Sequence, residues 1–261
     1  MTLHFVTGDG CRIAYRLDGP KDASVLMLSN SLGTNMEMWA PQLAPLSANH
    51  RVLRYDTRGH GASDAPAGSY SMDRLGRDVV ELLDAVGVGQ VAYCGLSLGG
   101  MTGQWMGIRE PDRINRLILA NTSSYMGPPS AWDDRIAMVR NGGMAPLAGA
   151  SVSRWFTPEF QAAHGSAIAS IEAGLLATQS SGYIGCCAAI RDMDMRRTVS
   201  LIEQPTLVIA GAQDPATPLE HSKALVAAIK GATIVELEAA HLSNVEQPEA
   251  FTAAVLSFLR S

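Results

Sequence analysis

The sequence predicts an α/β fold in which helices cover both faces of a mostly parallel sheet, and three observations support this class. Short, unbroken apolar runs recur along the chain, helical repeats of apolar residues lie between them, and the two patterns alternate. The alternation fails in only one long segment. With 261 residues, 47% of them hydrophobic, the chain can bury a large core as one unit carrying an insertion.

Eight strands are predicted. A hairpin opens the sheet, because the turn residues Asp9-Gly10 separate the β-rich run 3–7 from the run 12–17. Six further runs have the continuous apolar character of strands buried on both faces, and they cover 25–28, 52–55, 91–94, 117–120, 207–210 and 234–237. The prediction is therefore an eight-stranded sheet, parallel except for the hairpin at one edge.

Helical repeats lie between these strands. One apolar stripe with helical spacing consists of Leu75, Val79, Leu82, Leu83 and Val86, and another of Phe251, Val255, Phe258 and Leu259. The run Thr217-Pro218-Leu219-Glu220 is typical of a capping box with proline at the first helical position, so a helix is predicted to begin there.

The segment 122–195 breaks the alternation. It contains helical stripes but no convincing strand; the stripes are Trp132, Ile136 and Val139, and then Ile168, Ile171 and Leu175. We therefore predict an α/β core formed by 1–121 and 196–261, with a helical cap over 122–195. We expect the cap to cover the carboxyl ends of the strands, where open α/β sheets bind ligands.

Charge and cysteine content argue against several functional classes. The 20 basic and 25 acidic residues are scattered and give a net charge of −5, which does not favour a nucleic acid or an anionic membrane as partner. The four cysteines show no CxxC spacing, and they are interpreted as reduced and structural. No signal peptide, metal cluster, phosphate-binding loop or dinucleotide fingerprint is recognised. We expect a cytoplasmic protein without a cofactor, monomeric or a small homo-oligomer, that acts on a small molecule.

A candidate nucleophile follows the predicted strand 91–94. Gly95-Leu96-Ser97-Leu98-Gly99 is a GxSxG motif placed where a strand turns sharply into a helix. Such a turn requires a strained, positive φ at Ser97, and the glycines on either side remove side chains that would collide. The hydroxyl of Ser97 is therefore expected to project from the sheet at a helix N-terminus.

A base and an acid can be assigned by position. Of the six histidines, only His241 lies in a loop just past a late strand, whereas His60 lies in a turn that is more simply structural. Asp214 follows another late strand, and Asn121 occupies an alternative acid position where an amide cannot serve. The backbone N–H groups of Leu98 and Leu32 are the predicted donors to a developing oxyanion.

These motifs resemble those of the α/β-hydrolases over the whole chain, and within them those of the bacterial 3-oxoadipate enol-lactonases. The order serine, acid, histidine is that of the fold. The most informative pair is Asn30-Ser31, because most α/β-hydrolases have His-Gly there, whereas the lactonases and a few sister hydrolases are similar to this chain. The matching stretches are 28–34 with Met38-Trp39, 54–61, 95–100 and 241–246.

The resemblance implies a reaction and a substrate. A small enol-lactone with a carboxymethyl group, met in aromatic degradation by the β-ketoadipate pathway, would be opened by Ser97 with His241 as base and Asp214 as its partner. The carboxylate would need a cationic clamp from the insertion. The candidates for it are Arg135, Arg140, Arg154 and Arg191, with Trp132 and Trp155 as possible pocket walls.

Other functions share the same motifs. A carboxylesterase, a γ-lactamase or a cofactor-free perhydrolase would use the same three residues on a different substrate. Dehalogenases and epoxide hydrolases of this fold use an aspartate nucleophile, which Ser97 argues against. A non-catalytic small-molecule receptor is a more remote alternative.

Overall fold

The computed structural model describes residues 1–260 and is built around one eight-stranded sheet. The spatial order of the strands is β1-β2-β4-β3-β5-β6-β7-β8. The strands are β1 (Leu3–Val6), β2 (Arg12–Asp18), β3 (Val25–Ser29), β4 (Arg51–Tyr55), β5 (Val91–Leu96), β6 (Ile114–Ala120), β7 (Thr206–Gly211) and β8 (Thr233–Leu237). β2 pairs antiparallel with β1 and β4, and all other pairings are parallel. The predicted sheet is confirmed, including its hairpin edge.

Helices cover the sheet, and the central strands are buried as their apolar sequences predict. Every residue of β5 and β7 is buried. Outside the insertion the helices are α1 (Ala40–Ser47), α2 (Met72–Ala85), α3 (Leu98–Arg109), α9 (Leu219–Ala228), α10 (Ser243–Glu246) and α11 (Pro248–Arg260). α1 packs against α11 and α2 against α3. None of the helices within residues 1–260 is long and apolar enough to span a bilayer.

Five helices occupy the predicted insertion between β6 and β7. They are α4 (Pro129–Gly142), α5 (Ala148–Trp155), α6 (Pro158–Ala163), α7 (Gly165–Ala177) and α8 (Ser180–Arg191). α4 packs against α8 and α5 against α7. The single β-bridge recorded in this segment of the described chain joins Tyr125 to Asp194. The helical character of the segment is as expected; its status as a separate cap remains a prediction.

Two glycines allow α8 to lie directly on the loop that follows β4. A Cβ on Gly182 would lie 2.1 Å from the Cα of Gly59, and a Cβ on Gly59 would lie 2.3 Å from the Cα of Gly182. Gly59 also has a φ of +85°, which favours glycine. The backbones of the insertion and the sheet loop therefore touch, and this contact fixes the height of α8 above the sheet.

Candidate active site

The serine of the GxSxG motif lies on a strained elbow between β5 and α3. Ser97 has φ 56° and ψ −113°, so the predicted positive φ is confirmed. A Cβ on Gly95 would lie 2.2 Å from the carbonyl oxygen of Gly99, and a Cβ on Gly99 would lie 2.2 Å from that of Ser29. The N–H of Ser97 donates to the Ala120 carbonyl at 2.9 Å. The elbow is thus held rigidly, with Ser97 on the wall of a cavity.

The loops after β7 and β8 bring an acid and a histidine together. Nδ1 of His241 lies 2.8 Å from Oδ2 of Asp214, and both side chains are buried. Because Nδ1 donates to the carboxylate, Nε2 is left as the proton acceptor. His241 and Ser97 line the same cavity, although the Ser97 hydroxyl has no hydrogen bond within residues 1–260. In free enzymes such bonds are often long and tighten only with substrate.

Five hydrogen bonds hold the carboxylate of Asp214. Besides His241, Oδ2 accepts from Oγ1 of Thr217 at 2.6 Å and Nδ2 of Asn121 at 3.0 Å; Oδ1 accepts from the amides of Ala216 and Thr217. Burial alone would raise the pKa of Asp214, but the charge of His241 and these side-chain hydrogen bonds outweigh it and lower the pKa to about 2. Asp214 is therefore ionised at neutral pH.

The capping box predicted at Thr217 is wrong. Helix α9 begins at Leu219, and Pro218 precedes it in an extended conformation. The Thr217 hydroxyl donates to the carboxylate of Asp214 and accepts from no amide of the helix. Pro218 occupies the position directly before the helix, so Thr217 lies one residue too far from it to act as the cap.

Asn121 is a member of the site whose contribution the sequence analysis missed. As expected it cannot act as an acid, but its Nδ2 donates to Asp214 and, at 3.1 Å, to the carbonyl oxygen of Ala240. Ser243 in turn donates to Oδ1 of Asn121 at 2.5 Å. Asn121 thereby ties the acid loop to the histidine loop. The sequence signal for this role was the position of Asn121 directly after β6, at the same sheet edge as Asp214.

The amides next to the two predicted oxyanion donors, Leu32 and Leu98, are already bonded. Gly33 donates to Nε2 of His60 at 3.0 Å, and Gly99 donates to the Asn30 carbonyl at 2.9 Å. Within residues 1–260, the amides of Leu32 and Leu98 have no acceptor, and both residues are buried around the elbow. These two N–H groups are thus not committed to another acceptor, and Leu32 lines the cavity.

His60 acts on this loop as a neutral acceptor. It is buried, and burial lowers its pKa to about 4. Its Nδ1 lies 3.3 Å from the carbonyl oxygen of Arg58, which leaves Nε2 free to accept from Gly33. The placement agrees with the structural role predicted for this turn.

The cavity above the elbow has a volume of about 240 Å³. The insertion supplies much of its wall, including four of the predicted substrate-binding residues, Trp132, Arg135, Arg154 and Trp155. Ser31, Leu32 and Thr217 contribute from the sheet loops. No group of three His, Cys, Asp or Glu side chains within residues 1–260 is arranged to hold a metal ion.

Two arginines give this cavity an uncompensated positive charge. The guanidinium of Arg135 lies over the ring of Trp132, 5.0 Å from its centre, and Arg154 is half-buried. Within residues 1–260 neither forms an ion pair with a carboxylate. Burial and the nearby charge of Arg135 lower the pKa of Arg154. Such a pair is suited to receiving an anion.

The structure places the other two candidate arginines elsewhere, which corrects the prediction for Arg191. Its guanidinium pairs with Asp133 at 2.8 Å and Asp192 at 2.7 Å, outside the cavity. Ile190 does line the cavity, and successive helical residues point about 100° apart, so Arg191 faces away. Arg140 is exposed on α4 and does not reach the cavity.

A sheet of this topology, with a serine on an elbow and an acid–histidine pair beside it, defines a hydrolase class. Residues 24–167 match the family model described as alpha/beta hydrolase fold, and 177–261 match one described as TAP-like protein.

Relatives cover the whole chain. It is 42% identical to 3-oxoadipate enol-lactonase 2 of Acinetobacter baylyi, over 99% of this chain and 98% of that protein. A hydrolase structure from Pseudomonas aeruginosa is 48% identical with a TM-score of 0.97, covering 100% and 98% of the two chains. The enol-lactonase structure from Burkholderia xenovorans is 41% identical with a TM-score of 0.97, covering 99% and 100%. The chain belongs to the α/β-hydrolase family, and within it to the carboxylic ester hydrolases.

Proposed function

We propose that this hydrolase opens a small enol-lactone that carries a carboxylate, 3-oxoadipate enol-lactone, to give 3-oxoadipate. The observation that carries the proposal is the pair Arg135 and Arg154, which faces the cavity of Ser97 and His241 without a carboxylate partner in residues 1–260. A cavity of about 240 Å³ suits a ring of this size. The similarity to enol-lactonases supports the same substrate class.

In the first half of the proposed reaction, Ser97 Oγ attacks the lactone carbonyl carbon and its proton passes to Nε2 of His241. The ionised Asp214 stabilises the imidazolium that forms. The carbonyl oxygen gains negative charge beside the amides of Leu32 and Leu98, each donor contributing about 10²–10³ in rate. The tetrahedral intermediate collapses by breaking the bond from the carbonyl carbon to the ring oxygen.

The second half releases the product. The ring oxygen departs as an enol that takes the proton from His241, and it stays tethered because ring and acyl group are one molecule. His241 then takes a proton from water, whose oxygen attacks the acyl carbon. The bond from that carbon to Oγ of Ser97 breaks, and Oγ takes the proton back from His241. The enol becomes the 3-oxo group, and hydrolysis creates a second carboxylate. The dicarboxylate leaves a cavity that carries two cationic side chains.

Comparing substrates tests the proposal. The purified protein is assayed with the enol-lactone, with neutral nitrophenyl acetate and with a bicyclic lactam, which cover the lactonase, esterase and γ-lactamase alternatives. We expect kcat/KM to be at least tenfold higher for the lactone than for the ester. An equal or lower value for the lactone would contradict the proposed substrate.

Replacing the nucleophile tests the chemistry separately. We expect Ser97→Ala to lose at least about 10³-fold in kcat on every substrate that the wild-type protein cleaves, because no acyl-enzyme can form. Its unfolding in urea should remain cooperative, since alanine removes one oxygen from the cavity wall. Turnover equal to that of wild type would favour a receptor instead.

A further inference from the structure

One hydroxyl beside the elbow has no partner. Eight buried side-chain polar atoms within residues 1–260 lack a hydrogen bond, and Oγ of Ser31 is one of them. It is the one among the eight that belongs to a residue lining the cavity of Ser97 and His241. Ser31 is 3% exposed. An unpaired buried hydroxyl therefore borders the place where the chemistry is proposed to occur.

The backbone of Ser31 is fixed on both sides, so only its side chain is free to turn. The N–H of Ser31 points to the sulfur of Met38 at 3.4 Å. Its carbonyl oxygen accepts from the hydroxyl of Thr34 at 2.8 Å and from the Thr34 amide at 3.2 Å. The Ser31 side chain can therefore still rotate about its Cα–Cβ bond between staggered positions, which moves Oγ while the backbone and Cβ stay in place.

The unpaired hydroxyl of Ser31 lowers the stability of the free protein. A buried donor without a partner has lost its hydrogen bonds to water and gained none in exchange, and alanine at this position would avoid that loss. Native proteins provide a hydrogen-bond partner for most of their buried polar groups. An unpaired hydroxyl beside a reaction site is therefore expected to find its partner in a bound ligand. In a cavity built for hydrolysis, the substrate is such a partner.

We propose that the Ser31 hydroxyl is a third donor to the oxyanion, acting with the backbone amides of Leu32 and Leu98. It donates a hydrogen bond to the former carbonyl oxygen of the substrate as negative charge develops, and it transfers no proton. Ser31 directly precedes Leu32, whose amide has no acceptor within residues 1–260, and both residues line the cavity of Ser97. A donor aimed at developing charge strengthens in the transition state and so raises kcat. The inference rests on the proposed acyl-enzyme chemistry but not on the identity of the lactone.

Ser31→Ala separates a catalytic role from a structural one, because the two predict opposite results. We expect kcat to fall about ten- to hundredfold with KM changed less than threefold, while the midpoint of urea unfolding stays the same or rises. Ser31→Gly is expected to show the same loss of kcat. Unchanged kcat would overturn the proposal, as would an effect on KM alone. A lower unfolding midpoint for Ser31→Ala would also overturn it, by revealing a structural partner.

Ser222 offers a matched control. Its hydroxyl is equally buried and equally unpaired, but it lies on α9 and does not line the cavity. Ser222→Ala should leave kcat unchanged; a parallel loss of kcat there would overturn the special role of Ser31. Both variants are measured on nitrophenyl acetate as well as on the lactone. If wild type cleaves only the ester, the proposed substrate fails, and a slower Ser31→Ala on the ester still supports this inference.

Discussion

At the scale of single residues, burial drives the titratable groups of the site in opposite directions, and their neighbours decide the outcome. His60 receives no opposite charge, so burial keeps it neutral and lowers its pKa to about 4. Asp214 is also buried, but hydrogen bonds and the charge of His241 keep it ionised, with its pKa lowered to about 2. His60 therefore accepts a hydrogen bond from the loop of Gly33 as a neutral group, while the ionised Asp214 is suited to stabilising a protonated His241.

His60 should make stability depend on pH. Between its ordinary pKa of 6.5 and about 4, the unfolded chain binds a proton at this histidine and the folded chain does not. The unfolding free energy therefore falls as pH falls through this window, with a slope from this residue of at most about 1.4 kcal/mol per pH unit. We expect His60→Gln, which cannot titrate, to show a shallower slope in urea unfolding measured at pH 4 to 7.

The control for this prediction is the exposed His4. His4→Gln makes the same substitution at an exposed position and should keep the slope of wild type. A slope for His60→Gln as steep as that of wild type would show that the buried imidazole does not resist protonation.

Position along the strands explains why the sequence indicated Ser97, Asp214 and His241 as candidates. Each follows the end of a parallel strand, and these ends meet at one sheet edge, so the order along the chain predicted their convergence. Arg191 could not be judged in this way, because the direction of a helical side chain depends on the phase of the helix. Thr217 was misassigned because the four-residue pattern does not reveal that the helix begins at Leu219, one residue later than predicted.

At the scale of elements, one buried carboxylate joins the insertion to the histidine loop. Glu246, at the end of α10, accepts from the amide of Ala240 at 2.9 Å, and from the amide and the hydroxyl of Thr157. Leu242 also donates to the carbonyl oxygen of Trp155 at 3.0 Å. The segment that carries Arg154 and Trp155 is thus tied to the loop of His241.

Removing this carboxylate should loosen both elements. We expect Glu246→Ala to lower the unfolding free energy by about 1–3 kcal/mol, because the buried amides of Thr157 and Ala240 lose their acceptor. Hydrogen exchange, measured by mass spectrometry on peptides spanning 152–163 and 236–247, should become faster in both. We also expect a lower kcat/KM, since the arginine wall and His241 lose their fixed separation.

Glu159 provides the comparison. It is exposed on α6, close to the same contact. Glu159→Ala should leave exchange and activity as in wild type. If exchange in Glu246→Ala rises only in one of the two peptides, the carboxylate does not couple the elements.

Elements with a clear apolar pattern were predictable, whereas the bounds of α8, which lacks such a pattern, were not. The strands and the helices α2 and α11 show clear apolar patterns, because one face or both faces are buried. α8 is buried on nearly all sides against the loop of Gly59 and against α4, so it shows no stripe to mark its bounds. The sequence could thus indicate a helical insertion while leaving the limits of its helices open.

At the scale of the whole molecule, the overall charge and the charge of the cavity have opposite signs. The chain carries a net charge of −5, whereas its cavity presents Arg135 and Arg154. An anion is therefore attracted by the cavity and not by the protein as a whole. The attraction comes from the two positive charges of Arg135 and Arg154, which repel each other in the free protein. Their repulsion and partial desolvation lower the stability of the empty molecule, and an anionic ligand would relieve both.

The repulsion between Arg135 and Arg154 predicts that Arg154→Met stabilises the ligand-free protein. The same substitution should remove the stabilisation that a bound dicarboxylate gives. Methionine keeps an unbranched apolar stem but no charge, so repulsion with Arg135 disappears and the midpoint of urea unfolding should equal or exceed that of wild type. Adipate, as a product analogue at a hundredfold excess over its Kd, should raise the unfolding free energy of wild type by about 2.7 kcal/mol and that of Arg154→Met much less.

Arg140→Met, which replaces an exposed arginine outside the cavity, is the control and should respond to adipate as wild type does. Equal stabilisation of Arg154→Met by adipate would mean that the carboxylate binds elsewhere. A lower midpoint in the empty variant would mean that the charge of Arg154 is compensated in the free protein.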